Sequence, residues 1–308
     1  MKNVFVLVNP ASANGSTARV WPDIAAELKK QGVEFTEYQT TGPYQAPEAV
    51  RQALKDGAQT IVSVGGDGTA NEVVNGFFEN NKPINPKARL AVISRGTGCD
   101  LIRTLGIPKD YEGAVETITN NREKVIDLGM LEYTTTDGKT GSRYFVNIAD
   151  VGMGGMAASR VNHTSKSAGG FLSFLYGTVW SIIIYKNGHA RVVADGQEVY
   201  NDMVTMVAVA NGRYFGGGME LSPHGLIDDG KLDLVLLKGM GKLTLFANLA
   251  RIYKGTHLSH PKVSTRPVSR VELEFPPERV LPVELDGETP DVISVAFSVQ
   301  PGALRVLC

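Results

Sequence analysis

The sequence predicts two folds in series: an α/β domain built on a parallel sheet, then a domain of antiparallel β structure. Three observations carry that expectation. Through about residue 130, apolar runs of strand length alternate with segments of helical periodicity, the pattern of a sheet covered by helices. After Asp127 the strand-like runs follow one another directly, with Asp-Gly turns between them. The chain has 308 residues, 43% hydrophobic and 20% charged, which is enough for roughly two ordinary cores.

Val4–Val8 is apolar throughout, as in a strand buried on both faces. Trp21, Ile24, Ala25 and Leu28 share one helical face, and Gly32 marks a stop. Pro22 lies inside that pattern, so the helix either begins near it or bends at it. Glu34–Gln39 reads as a strand, Ala46–Asp56 as a helix, Thr60–Val64 as a strand and Ala70–Phe78 as a helix. Leu90–Ile93 and Gly113–Asn120 follow as strand and helix. In the second half, Tyr144–Ile148, Ala190–Ala194, Val204–Ala210, Leu232–Leu237, Val271–Phe275, Val280–Leu285 and Val292–Val299 read as strands. Asp137-Gly138, Asp195-Gly196, Asp229-Gly230 and Asp286-Gly287 supply turns among them.

Net charge is −1, so the chain carries no general basic field for nucleic acid. Cys99 and Cys308 are the only cysteines and lie far apart. That spacing supports neither a disulfide framework nor a structural zinc site, and a reducing cytoplasm is the expected setting. The apolar run at the N-terminus is too short for a signal peptide. The most apolar stretch, Gly169–Tyr185, is shorter than the ~20 residues of a membrane span and is interrupted by Ser173, Gly177 and Ser181. It reads as a buried helix, or as one lining a lipid pocket or touching a bilayer surface. Arg251, Lys254, His257 and His260 form a locally basic stretch, read as a solvated surface or as a patch meeting anionic lipid.

The chemistry centres on Gly65-Gly66-Asp67-Gly68-Thr69-Ala70-Asn71-Glu72, between a strand and a helix. Three glycines let backbone approach an anion closely, and the amides of a tight turn and helix N-terminus donate to phosphate oxygens. Thr69 adds a hydroxyl. Asp67 repels a bare phosphate, so Mg²⁺ is the sensible partner between them. No Gly-Lys-Ser/Thr follows, so this is not a Walker A loop. The competing reading is a turn in which Asp67 caps the helix. A second loop, Ser94-Arg95-Gly96-Thr97-Gly98-Cys99-Asp100, follows Leu90–Ile93, and Asn9-Pro10 opens a third after the first strand. Loops at the C-terminal ends of parallel strands share a crevice, where open α/β sheets bind ligands.

Gly65–Gly76, continued through Asn71-Glu72-Val73-Val74-Asn75-Gly76, resembles the signature of the diacylglycerol kinase catalytic domain, closest to bacterial lipid kinases of the group that includes sphingosine and ceramide kinases. Gly96-Thr97-Gly98 with Asp100 and Arg103, Asn9-Pro10, and Leu285-Asp286-Gly287-Glu288 match further elements in the same order. The resemblance implies an NAD kinase/diacylglycerol kinase-like α/β domain over residues 1–130 that binds ATP. A β-sandwich lipid-substrate domain would span 131–298, with 299–308 returning to the first domain and an active site between the two. Asn9, Pro10, Gly65, Gly66, Asp67, Gly68, Thr69, Asn71, Glu72, Gly96, Thr97, Gly98 and Asp100 would serve the nucleotide. Asp67, Asp100, Asp127 and Asp229 would serve Mg²⁺, and Asp286 would be the general base, with Glu288 beside it. Lys166 corresponds loosely to a basic residue near the phosphates. The implied partners are a lipid substrate, a membrane surface touched during turnover, and a second copy in a homodimer, as the family often forms.

Ser94-Arg95 stands where the family has Pro-Leu, and Cys99 where it has Asn. Asp286-Gly287 is also a strong hairpin signal. Two rival activities share the glycine-rich loop: an NAD kinase-like small-molecule kinase, and a nucleotide or lipid sensor without turnover. The Asn71–Gly76 extension argues against the first, and the acidic set argues against the second. The lipid itself is chosen by Gly169–Tyr185 and Ala210–Gly218 in this reading.

Overall fold

The computed structural model describes residues 1–156, 170–276, 283 and 292–308, with the backbone alone for 170–175. The chain divides into two compact units, Met1–Ile126 with Gly302–Cys308, and Asp127–Pro301.

The first unit alternates β1 (Val4–Val8), α1 (Ser16–Lys30), β2 (Phe35–Gln39), α2 (Ala46–Lys55), β3 (Thr60–Gly65), α3 (Asp67–Asn75) and β4 (Arg89–Ser94), followed by α4 (Asp100–Leu105) and α5 (Tyr111–Asn120). The strands run in the order β2-β1-β3-β4, all parallel, and Arg305–Val306 add in parallel to Arg89–Leu90. Every residue of β3 is buried, as a strand covered on both faces requires. Helix α1 starts at Ser16, well before Pro22, and keeps the proline inside it. Pro22 faces solvent while Trp21, Ile24 and Leu28 bury on the other side. Their burial offsets the roughly 3 kcal/mol that an interior proline costs.

Two boundaries move in ways that bear on the loops. Helix α3 begins at Asp67, directly after the extended Gly66, rather than at Ala70. It also stops at Asn75, because Phe78–Glu79 pair with Lys82–Pro83 in a small hairpin. The short helix α4 was not anticipated; Cys99 precedes it in the left-handed conformation, φ 54°. Gly76 belongs to packing: a Cβ there would lie 2.5 Å from Val50 Cβ on α2.

The second unit contains β5 (Glu123–Thr135, which enters it at Asp127), β6 (Thr140–Phe145), β7 (Ile148–Gly152), α6 (Gly170–Ile184), β8 (Gly188–Ala194), β9 (Gln197–Ala210), β10 (Leu232–Lys238), α7 (Lys242–Tyr253), β11 (Val263–Val268), β12 (Arg270–Glu274) and β13 (Val292–Leu307). Strands β11-β10-β9-β8-β12-β13 pair antiparallel in that order, and β7 pairs with the second half of β9. Asp195 and Gly196 both take positive φ and form the β8–β9 hairpin turn that their sequence predicts. The expected strand Tyr144–Ile148 is instead two, because Asn147 leaves the ladder: its carbonyl accepts from Asn211 and Gly212 N–H at 2.8 and 2.9 Å. Of Val280–Leu285, only Val283 lies among the described residues, where it bridges Val151.

Strand alternation feeds two cores on opposite faces. Val207 and Val209 of β9 and Leu234 and Leu236 of β10 join the larger apolar cluster. Their neighbours Met206, Ala208, Val235 and Leu237 meet Ile182 of α6 and Leu245 of α7 on the other face.

Candidate phosphate-binding site

The loops after β1, β3 and β4 are laced together by their own backbone. Asn9 N–H donates to the Val64 carbonyl at 2.9 Å, and Asn9 Nδ2 donates to Thr69 Oγ1 at 2.9 Å. Thr69 lies over Gly65: a Cβ on Gly65 would meet the Thr69 side chain at 2.6 Å. Pro10 contributes its carbonyl to Ala18 N–H at 3.3 Å, on the first turn of α1. On the other side, Arg95 N–H donates to the Gly65 carbonyl at 2.7 Å. Gly66 and Gly96 approach so closely that a Cβ on Gly96 would lie 2.8 Å from Gly66 Cα. Backbone contact between loops therefore requires glycine at position 96, and the Thr69 side chain requires it at position 65.

Asp67 is held in the first turn of α3, and its Oδ1 accepts from Leu101 N–H at 3.1 Å, which caps α4. Its Oδ2 converges with Asp100 Oδ2 over Gly98: a Cβ there would lie 2.8 Å from the first and 3.0 Å from the second. Asp100 is buried and meets Arg103 at 3.4 Å. Two carboxylate oxygens facing one small space suit a hard divalent cation, so Asp67 and Asp100 fit a shared Mg²⁺. Thr97 is exposed. Arg95 Nε is buried without a hydrogen-bond partner, an orphaned donor beside the loops that fits an anion. Cys99 Sγ donates to the Gly96 carbonyl at 3.1 Å, so its thiol braces the loop from below. Asn71 and Glu72 lie further along α3, half-buried, and their carbonyls accept from Asn75 Nδ2 and Gly76 N–H.

Gly68 differs from its neighbours. It is helical, and a Cβ there would meet nothing within 4 Å. Neither backbone conformation nor packing asks for glycine at this position.

Two of the other sequence-predicted acidic residues, Asp127 and Asp229, belong to the second unit. Asp127 Oδ2 accepts from Gly230 N–H at 2.6 Å and its carbonyl accepts from Asn211 Nδ2 at 2.9 Å. Asp229, exposed in the same turn, accepts from Lys231 N–H at 3.0 Å. Among the described residues, no three His, Cys, Asp or Glu side chains come together as a metal-ligand group. Lys166, Asp286 and Glu288 lie outside the described residues. The basic stretch near residue 257 is not uniformly exposed: His257 is 4% exposed, with Nε2 3.1 Å from the Leu221 carbonyl, and burial lowers its pKa. Asn211, read from the sequence only as part of the lipid-choosing stretch Ala210–Gly218, braces the Asp127 and Val146 carbonyls, and the Leu101 amide gave no signal, because a donor that braces a carboxylate or carbonyl leaves no motif. Sequence reading passed over Asp150, whose Oδ1 accepts from Gly155 N–H at 2.8 Å and whose carboxyl is pushed up to about 6 by burial.

Among the described residues no helix is long and apolar enough to cross a membrane. Two family models match the chain. The diacylglycerol kinase catalytic domain covers residues 3–131, and the YegS C-terminal NAD kinase beta sandwich-like domain covers 147–308. A protein named diacylglycerol kinase from Staphylococcus carnosus is 26% identical over 93% of this chain and 89% of its own length. One of the same name from Mycobacterium tuberculosis is 26% identical over 99% and 94%. The crystal structure of a diacylglycerol kinase from Bacillus anthracis strain Sterne superposes with a TM-score of 0.74 at 22% identity, covering 99% of this chain and 96% of that one. The chain therefore belongs to the family of the YegS C-terminal NAD kinase beta sandwich-like domain, here preceded by a segment that matches the diacylglycerol kinase catalytic domain.

Proposed function

We propose that the protein transfers the γ-phosphoryl group of ATP to a lipid hydroxyl, with diacylglycerol the acceptor that its relatives' names indicate. The observation that carries the phosphate part is Gly68. A glycine inside a helix costs about 0.5–1 kcal/mol relative to alanine. Here neither left-handed backbone nor close packing accounts for it. A phosphate approaching the first turn of α3 does, because its oxygens need the space that a methyl group would fill.

In this reading the amides around Gly66–Thr69 and the orphaned Arg95 Nε orient the phosphates. Asp67 and Asp100 would hold Mg²⁺, which when bound neutralises charge on the transferring group. Asn9 keeps Thr69 in place through the bond to its hydroxyl. Asp286, matched to the family's general base, accepts the proton as the lipid oxygen bonds to phosphorus and the bond to the leaving ADP breaks. Glu288 stands beside it in the sequence.

The purified protein incubated with Mg-ATP, NAD and a total lipid extract is expected to yield phosphorylated lipid. Phosphorylated NAD would replace this reading with a small-molecule kinase, and neither product would replace it with a sensor. Asp286→Asn is expected to lower turnover by about 100-fold or more with ATP binding retained. Near-normal phosphorylation by that variant would remove Asp286 from the role of base.

A further inference from the structure

Helix α7 is amphipathic in the wrong sense for a helix that only covers a core. Its inward side is ordinary: Leu245 is buried, and Ile252 packs with it on the β9–β10 face. Its outward side holds Leu243, Phe246, Ala247 and Ala250, one after another along the helix, and all four are exposed. Leu243 is 86% exposed, more than any other large apolar residue described. The first charge on that face is Lys254, just past the helix end.

Helix α6 packs beside α7 and repeats the arrangement. Thr178, Ser181, Ile182 and Tyr185 turn inward and are buried. Tyr176, Ile183 and Ile184 lie on the opposite side and are exposed at 55%, 45% and 41%. Lys242 links the helices by donating its ammonium to the Ile183 carbonyl. Five of the exposed large apolar side chains of the described residues therefore sit on two adjoining helices. Isolated exposed apolar residues need no explanation, but an adjoining set marks a contact surface.

Charge identifies the contact. No Asp or Glu occurs from residue 151 to 194 or from 234 to 271, the two longest acid-free stretches of a chain that has 32 acidic residues. Those stretches contain α6 and α7. Lys186, Lys242 and Lys254 are exposed around the apolar residues. A surface that joins two copies of a chain gains from acidic partners for its lysines. A surface that meets an anionic bilayer excludes them. Apolar side chains in the centre with lysines at the margin are the pattern of a helix lying in the headgroup layer.

We propose that the outward faces of α6 and α7 dock the protein on an anionic lipid bilayer, with Leu243, Phe246, Ile183 and Ile184 entering the interface and Lys186, Lys242 and Lys254 meeting the headgroups. The docking face deepens the lipid-kinase reading, since it names the surface that meets the substrate's membrane, but it is measured without turnover. Co-sedimentation with vesicles of phosphatidylglycerol and phosphatidylcholine in equal parts is compared with phosphatidylcholine alone. Binding to the anionic vesicles is expected for the unaltered protein, and the double variant Leu243→Glu/Phe246→Glu is expected to reduce it at least about tenfold. Both positions are exposed, and a circular dichroism melt checks that the fold is kept; Ile183→Glu is the second variant if it is not. In parallel, phosphorylation of dispersed short-chain diacylglycerol is expected to be unchanged in the double variant. Equal vesicle binding by protein and variant would overturn the docking face. So would loss of a dimer in the variant with vesicle binding intact, which would make this the contact between copies. No binding by the unaltered protein overturns it too, while turnover of the short-chain lipid in that case leaves the kinase reading standing.

Discussion

Helix α3 in the first unit and helix α7 in the second each carry a surface that their own unit leaves uncovered, but they make it from different parts of the chain. On α3 the uncovered surface is backbone: the first turn after Gly66, with Gly68 removing any side chain that would shield it. On α7 it is side chain: Leu243, Phe246, Ala247 and Ala250, aimed away from the core that Leu245 enters. A backbone surface depends on where glycines fall, so a substitution there changes ligand approach and spares the fold. A side-chain surface depends on which face the tertiary structure buries, so neighbouring residues of one type have opposite roles.

Leu243 and Leu245 test the second half of that contrast with the largest expected effect. Leu245→Ala removes a buried side chain and is expected to destabilise the protein by about 2–4 kcal/mol. Leu243→Ala, two residues away, is expected to change stability by less than about 0.5 kcal/mol. Urea unfolding of the two variants reads both values. Equal losses would mean that α7 is covered on both sides and would erase the comparison.

Gly68→Ala tests the first half. Stability is expected to rise slightly, by up to about 1 kcal/mol, because alanine is the better helix residue and meets no neighbour. Phosphoryl transfer at limiting ATP is expected to fall by about tenfold or more, as the methyl group occupies the approach to the amides. A variant that melts earlier would put a structural reason behind this glycine and withdraw the argument built on it.

The smallest effect comes from pH and separates two groups of the second unit, the buried His257 and the half-buried Asp150. Burial lowers the His257 pKa from its ordinary 6.5, so below that value the unfolded chain binds more protons than the folded one. The stability His257 contributes is full above about 6.5 and declines as pH falls toward the folded value. Asp150 works in the opposite direction. Its carboxyl is raised from 3.8 to about 6, so the folded protein binds more protons in that window and gains stability as pH falls through it. Urea midpoints across this range are expected to lose their acid-side decline in His257→Gln, and to decline more steeply in Asp150→Asn. No change in either variant would mean that both groups titrate as in the unfolded chain.

Much of the first unit was legible before the structure. The strand Val4–Val8 matches β1 at both ends, and Thr60–Val64 and Leu90–Ile93 fall one residue or less inside β3 and β4 at each end. Buried parallel strands announce themselves as unbroken apolar runs between turn residues. The loops were legible for a related reason, since close backbone approach leaves glycines in the sequence. Helix α7 was not legible. Its apolar residues point both ways, so they give no clean stripe for a core face. Helix α4 was too short to show a period, and β11 carries Pro267 and Arg266 in place of an apolar alternation.

By itself the sequence determined the parallel α/β order of the first unit, the antiparallel run of the second, and the three glycine-bearing loops, because each is written in local period and turn chemistry. It also placed the acid-free stretches around α6 and α7. Only the tertiary structure decided that Gly66 and Gly96 serve contact between loops while Gly68 serves none, that Asp67 and Asp100 converge whereas Asp127 holds the Gly230 turn, and that His257 is buried. It alone decided which side of α7 faces out. Identical residue types take opposite roles according to what packs against them, and that information lies in contacts between residues far apart in the chain.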